Sequence, residues 1–283
     1  MVKYIILILL FTINILWSEN IKGLYDEFFK PGAESKGFVN SLIASDDGFI
    51  TIFYNPANIG LMQNKIEFYF SQENHFLINE ISHLTTGLIF NYYNLPALYA
   101  GLSWRKLNFV EAVGYEDNEN ILMATTGIKI HSLCFGVNWK YFYSSLNSIF
   151  IQSISRGYGI DTGINYSFKR IIFGVSILNL YANLNSDEKK IKYKSHFGIG
   201  AKYFFLKNLF IYATIYKSPV KYIFSTAFNY KLKYISFSTG ISSKKEIGLG
   251  IYLLINKFFI KYGYSLQPDE NINKNSISFL FQM

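Results

Sequence analysis

From about residue 64 onward, large apolar residues alternate with small or polar ones. In Phe135-Gly136-Val137-Asn138-Trp139-Lys140-Tyr141-Phe142-Tyr143 every odd position is apolar or aromatic, and the even positions are mostly small or polar. Tyr158, Ile160, Thr162, Ile164, Tyr166 and Phe168 are set against Gly159, Asp161, Gly163, Asn165 and Ser167. Phe197 to Tyr203, Ile235 to Ser242 and Ile260 to Leu266 repeat the pattern. Side chains two apart share one face of a strand, so each run predicts a strand with one greasy face and one polar face. A helical period fits none of them.

Strands are predicted near 64–74, 82–93, 97–107, 120–130, 133–145, 155–168, 170–181, 194–205, 208–217, 221–231, 234–242, 246–255, 258–266 and 275–283. The phase of 208–231 is ambiguous, which leaves twelve strands open beside fourteen. Links after even-numbered strands are tight: Asn94-Leu95-Pro96, His131-Ser132, Lys169, Leu206-Lys207, Leu232-Lys233 and Asn256-Lys257. Links after many odd-numbered strands are longer and polar, as in Asn108–Glu119, Ala182–Tyr193 and Gln267–Lys274. Short turns on one side and longer loops on the other are how outer-membrane barrels are built. The span from Asn64 to Met283 allows about 16 residues per strand and link, enough for the ~9–11 that a tilted membrane strand needs. The last strand carries Ile277, Phe279 and Phe281 against Ser276, Ser278, Leu280 and Gln282, an amphipathic ending suited to barrel assembly and closure. Aromatics near strand ends (Tyr92, Tyr93, Trp104, Tyr143, Tyr203, Tyr216, Tyr230) suit interfacial girdles. The fold class read from this is all-β: a transmembrane antiparallel barrel of about fourteen strands.

Composition sharpens the choice against a soluble sandwich. Aromatic residues make up 19% of the chain and charged residues only 16%, where soluble domains average about 25% charged. The net charge of +8 is spread between apolar runs rather than gathered in one stripe, so turns and headgroups explain it better than nucleic acid does. Cys134 is the only cysteine, which excludes a disulfide framework and a cysteine-based metal site.

The N-terminus reads as an export signal over residues 1–18. Lys3 supplies the positive start, Tyr4 to Trp17 is an almost unbroken apolar run too short to span a membrane, and Ser18 suits the cleavage point. No cysteine follows, so a lipid anchor is not expected. Residues 19–63 do not alternate and form a separate segment ahead of the barrel at 64–283. Within it Asp46-Asp47-Gly48 suits a turn, and Asn55-Pro56 forces an extended residue that ends the preceding apolar strand.

Catalytic chemistry finds no footing. His75, His83, His131 and His196 have no metal spacing, and His83, Ser103 and Asp161 do not form a believable triad. No enzymatic activity and no cofactor is expected. Glu67, Arg105, Lys129, Lys140, Asp161 and Lys202 fall on the predicted lumen face, because a charge facing lipid costs ~2–4 kcal/mol at the midplane. They line a pore or anchor a plug, and the need to satisfy polar groups in a filled lumen favours anchoring.

The segment before the barrel carries a resemblance. An acidic turn (Asp46, Asp47) followed by Tyr54-Asn55-Pro56-Ala57-Asn58-Ile59-Gly60 just ahead of the first strand resembles the PorV/PorQ family, relatives of the FadL fatty-acid channels. Gly159-Ile160-Asp161-Thr162-Gly163-Ile164 and Gly174-Val175-Ser176-Ile177-Leu178-Asn179-Leu180 resemble two further strand motifs of that family. Gly37 to Ser41 is less glycine-rich than the family pattern, the chain is short for it, and Met283 stands where an aromatic residue usually ends the barrel. The resemblance implies an N-terminal hatch folded into the barrel mouth and closed by Asn55, Pro56 and Ala57.

Two functions follow from it: an accessory of type IX-like protein secretion or surface attachment, or a passive channel for hydrophobic compounds. A hydrophobic channel needs an apolar lumen pocket and a lateral opening, often marked by an interrupted strand. The predicted lumen face is rich in Gly, Ser, Asn and Lys, with Phe142, Ile89 and Leu280 as apolar exceptions, which ranks secretion first. The expected location is a Gram-negative-type outer membrane with both termini periplasmic. Expected partners are outer-membrane lipid, the barrel-assembly machinery, and secretion proteins or hydrophobic small molecules, with no nucleic acid.

Overall fold

A computed structural model describes residues 30–75, 78–92, 98–111, 115–147, 152–186, 190–217, 222–267 and 272–283. The proposed export signal lies outside the described residues. Among them are fifteen strands: β1 (Ile66–His75), β2 (Ile78–Tyr92), β3 (Leu98–Glu111), β4 (Tyr115–Ile130), β5 (Leu133–Asn147), β6 (Gln152–Phe168), β7 (Ile171–Ser186), β8 (Lys190–Lys192), β9 (His196–Phe204), β10 (Leu209–Lys217), β11 (Tyr222–Lys231), β12 (Ile235–Ser242), β13 (Ile247–Ile255), β14 (Phe258–Gln267) and β15 (Ile272–Gln282). Each pairs antiparallel with its neighbour, β1 pairs with β15, and β7 pairs with both β6 and β9. Fourteen strands thus close a ring with no free edge, and β8 is a short strand added to the end of β7. The twelve-strand alternative is excluded.

The alternation has its physical cause in the two solvents of the wall. Phe135, Trp139, Tyr158, Ile164, Ile199, Phe237, Leu249, Ile251 and Tyr262 are among the large exposed apolar residues, while Gly136, Asn138, Gly163, Asn165, Lys202, Ser238 and Lys261 between them are buried. Backbone polar groups are satisfied around the ring and the greasy face meets lipid, which is what a bilayer demands of strands. On β15, Ile277, Phe279 and Phe281 lie on this outer face, with Ser276, Ser278 and Leu280 buried behind them. No helix among the described residues is long and apolar enough to cross a membrane. Ile251, central in β13 and 45% exposed, offers a test. Ile251→Arg is expected to destabilise the lipid-inserted barrel by ~2–4 kcal/mol, read from denaturant unfolding in vesicles.

The wall is not of even height. β2 to β7 run 14 to 17 residues, whereas β9 to β15 run 8 to 11. The polar stretches expected as loops at 108–119 and 182–193 are largely ladder: Asn108 pairs with Asn118, Glu111 with Tyr115, and Asn183 with Lys192. Alternation could not reveal them, because above the bilayer neither face need be apolar.

Residues 31–62 are buried except for half-buried Asn40, Asp46 and Asp47, and they pack against the inward residues of the ring. A short helix, α1 (Ala33–Gly37), lies on β12 to β15. Two 3-10 turns follow, Phe49–Phe53 against β1 and β2 and Pro56–Leu61 against β3 to β6. Asn55 is extended as its proline requires, but the apolar run before it is a 3-10 turn rather than a strand. Gly48 has a φ of 97°, as an Asp-Asp-Gly turn needs.

Candidate functional site

The inner segment is held to the wall by buried charge and amide contacts. Glu34 pairs with Lys261 of β14 at 2.6 Å and accepts from the Tyr69 hydroxyl at 3.2 Å. Lys36 pairs with Glu73 of β1 at 2.7 Å. Asp46 and Asp47 both pair with Lys202 of β9, Asp47 also pairs with Lys231 of β11 at 2.7 Å, and the Tyr212 hydroxyl donates to Asp47 at 2.6 Å. Burial pushes the Asp47 carboxyl up, but Lys202 and Lys231 outweigh it and hold the group well below the ordinary carboxylate range.

Asn55 accepts from the Ala57 amide at 3.0 Å and donates to Asn165 of β6 at 2.9 Å, while Asn165 donates to Asn58 at 2.8 Å. Pro56 abuts Gly136, where an added Cβ would collide with the Pro56 carbonyl. Ala57 packs with Ala44, Leu61, Cys134 and Ile172.

The predicted lumen charges divide three ways. Lys202 contacts the inner segment directly. Glu67 accepts from Asn64 and Gln282, each at 2.9 Å, and Arg105 lies 5.1 Å from the Phe53 ring centre. Lys129 flanks Gly60. Lys140 and Asp161 instead pair with each other across the wall, at 2.6 Å.

Asp161 marks the irregular point of the ring. Ile160 pairs with Tyr181 and Thr162 with Ile177, so Leu178, Asn179 and Leu180 of β7 stand opposite Asp161 alone. The excess residues form a bulge, and Asn179 takes φ 53°, a left-handed angle that asparagine tolerates. The Asp161 carboxylate caps the bulge by accepting from the Asn179 backbone N–H at 2.8 Å. The strand motifs Gly159 to Ile164 and Gly174 to Leu180 therefore meet here. On the far side, the β7–β9 ladder ends at Leu178 and His196, and β7 pairs next with β8 at Asn183 to Asn185.

Inside the bulge lies a recess of about 80 Å³. Phe53, Met123, Phe142, Leu178, Tyr193 and Tyr216 line it together with Arg105, Lys140, Asp161, Asn179, His196 and Lys30. His196 and Tyr216 stack at 5.4 Å, and Phe142 meets Tyr193 at 5.5 Å. Outside the same wall, a shallow apolar trough of about 750 Å³ is lined by Leu102, Leu122, Trp139, Tyr158, Ile160 and Tyr181. Within a few residues of β6 and β7, the lining passes from recess (Asp161, Asn179) to trough (Ile160, Tyr181).

The polar lumen expected from sequence is thus corrected. Tyr69, Tyr99, Phe210, Tyr212, Tyr216 and Tyr252 all turn inward and are buried. Tyr216, expected in an outer girdle, stacks on His196 instead; Tyr203 and Tyr230 do lie exposed outside, and the side chain of Tyr92 and all of Tyr93 fall outside the described residues. Inward aromatics on β10 (Phe210, Tyr212, Tyr216) stand behind outward Leu209, Ile211 and Ile215, so both faces of that strand are apolar and the phase of 208–231 is ambiguous. Sequence reasoning also gave no role to Asn138, Asn179, Tyr193 and His196. A signal existed in β7, where Ile177-Leu178-Asn179-Leu180 breaks the alternation.

No family model matches the sequence, and no curated protein is significantly similar to it. Solved structures share the fold. The chain is similar to the CymD monoaromatic hydrocarbon channel (TM-score 0.66, 10% identity, 89% of this chain and 97% of that one). It is also similar to the Pseudomonas putida toluene transporter TodX (TM-score 0.58, 8% identity, 86% and 96%). A TodX mutant channel lacking S2 and S3 matches with TM-score 0.60 and 11% identity over 90% and 98%.

Proposed function

We propose that this chain is a passive, non-enzymatic outer-membrane channel for small hydrophobic molecules, which enter the aromatic recess and leave sideways at the β7 bulge. The observation that carries this reading is the recess ending at an interrupted ladder, with an apolar trough on the lipid side of the same strands. The named cargo of the structurally similar channels, monoaromatic hydrocarbon and toluene, supports the same class. The inner segment acts as the hatch, and tight turns and both termini face the periplasm.

This reading reverses the order taken from sequence. Secretion stood first because the lumen looked too polar for a greasy conduit, and the inward aromatics remove that argument. The accessory role implied by the PorV/PorQ resemblance gains no observation of its own.

The test is a deletion strain, with and without complementation, assayed for uptake of a dilute labelled monoaromatic compound and for exported protein. Uptake is expected to fall several-fold with export unchanged; lost export with normal uptake rejects the channel. Met123→Trp, which fills the recess from β4, is expected to lower uptake while leaving the barrel folded, as judged by its resistance to unfolding in detergent.

A further inference from the structure

One side chain lies between the inner segment and the bulge. Asn138 of β5 is fully buried, and its side-chain amide makes contacts in three directions. Its Nδ2 donates to the Ile52 carbonyl of the inner segment at 3.1 Å and to Asp161 Oδ2 at 3.0 Å. Its Oδ1 accepts from the Thr125 hydroxyl at 2.8 Å. That fixes its orientation: turned over, the amide oxygen would face a carbonyl and a carboxylate, two acceptors. Asp161 in turn holds the Asn179 N–H at 2.8 Å and Lys140 at 2.6 Å, and Lys140 reaches Asn179 Oδ1 at 2.9 Å.

We infer that Asn138 is a positioning residue that couples the inner segment to the bulge of β7. An unpaired buried amide N–H is costly, so when the Ile52 carbonyl withdraws, Asn138 must find another partner or follow it. Either response disturbs the carboxylate that caps Asn179, and with it the left-handed turn that ends regular pairing on β7. The chain Ile52–Asn138–Asp161–Asn179 is a contiguous set of hydrogen bonds, so the positions of the two ends are linked in both directions. Its meaning for cargo rests on the channel reading, but the coupling itself does not.

The inner segment can be fixed in place to test this. A Cβ added at Gly60 would lie 3.0 Å from both Cβ and Sγ of Cys134, so Gly60→Cys brings a second thiol within disulfide reach after a small shift. Asn58 donates to the Thr51 carbonyl at 3.0 Å, so a bond at Gly60 also restrains the turn that holds Ile52. The experiment is hydrogen exchange by mass spectrometry on peptides covering Ser176–Ala182, comparing oxidised and reduced protein. Oxidation of the Gly60→Cys protein is expected to slow exchange there by about fivefold or more, the lower range for coupled sites. Adding Asn138→Leu is expected to abolish that difference. Thr125→Val, which keeps volume and removes the bond orienting Asn138, serves if Asn138→Leu does not fold, and should reduce the difference. An unchanged difference in these variants, or no effect of oxidation at all, overturns the coupling. Because no cargo is involved, failed coupling is distinguishable from failed transport.

Discussion

Asp47→Ala is expected to loosen the docked inner segment by about 1–3 kcal/mol while the ring of strands stays closed. The basis is that Lys202 is almost fully buried and that Asp47 also serves Lys231 and the Tyr212 hydroxyl. Removing Asp47 leaves Lys202 with half-buried Asp46 alone, and strips Tyr212 of its acceptor. Lys231 is 42% exposed, so water compensates most of its loss and it adds little. The measurement is limited proteolysis of the inner segment in detergent-folded protein, with barrel stability followed separately. Acid should act in the same direction. Because the folded state holds Asp47 below its ordinary range, its contribution is present at neutral pH and is lost only as pH falls through that lowered value. Release at mildly acidic pH would contradict the assignment.

The barrel was legible in the sequence because lipid and lumen impose opposite demands on neighbouring residues. Phe135, Trp139 and Tyr158 could satisfy only the outside, and Gly136, Asn138 and Gly159 only the inside. The site was less legible. Which charges meet depends on how an irregular segment threads the lumen, and nothing in the spacing of Asp47, Lys202 and Lys231 reveals it. The bulge was half visible, since Asp161 and Asn179 both stood in quoted motifs, but their contact requires two extra residues in β7 that alternation alone reads as noise. Inward tyrosines hid for a simpler reason: a ring with a hydroxyl suits an interface as well as a polar interior.

Gly136→Val is expected to push the second 3-10 turn off the wall. A Cβ at Gly136 meets the Pro56 carbonyl and the Ala57 amide, both backbone, so no side chain can swing aside to relieve it. Overpacking of this kind costs about 3 kcal/mol at the upper end of its usual range, and the strain falls on the inner segment rather than on the hydrogen-bonded ladder. Planar-bilayer recordings should show higher conductance than the unmodified protein. Thr126→Val, its outward-facing neighbour in register with Val137, should change stability by about 0.5 kcal/mol or less. Equal conductance in all three proteins would mean that the inner segment does not limit flow.

The way the ring closes also sets the order in which the protein can be made. The seam joins β1 to β15, whose partners such as Glu67 and Gln282 are separated by almost the whole barrel sequence. The inner segment precedes β1, yet it touches strands from both flanks of that seam: Glu34 and Ala33 reach Lys261 and Ser278, and Asn55 reaches Asn165. Contacts this distant carry a large loop-closure cost and form late. A stretch of chain made ahead of every strand must therefore wait inside an unfinished cylinder and, by gripping early and late strands together, serves as the former around which the last hairpin is drawn shut.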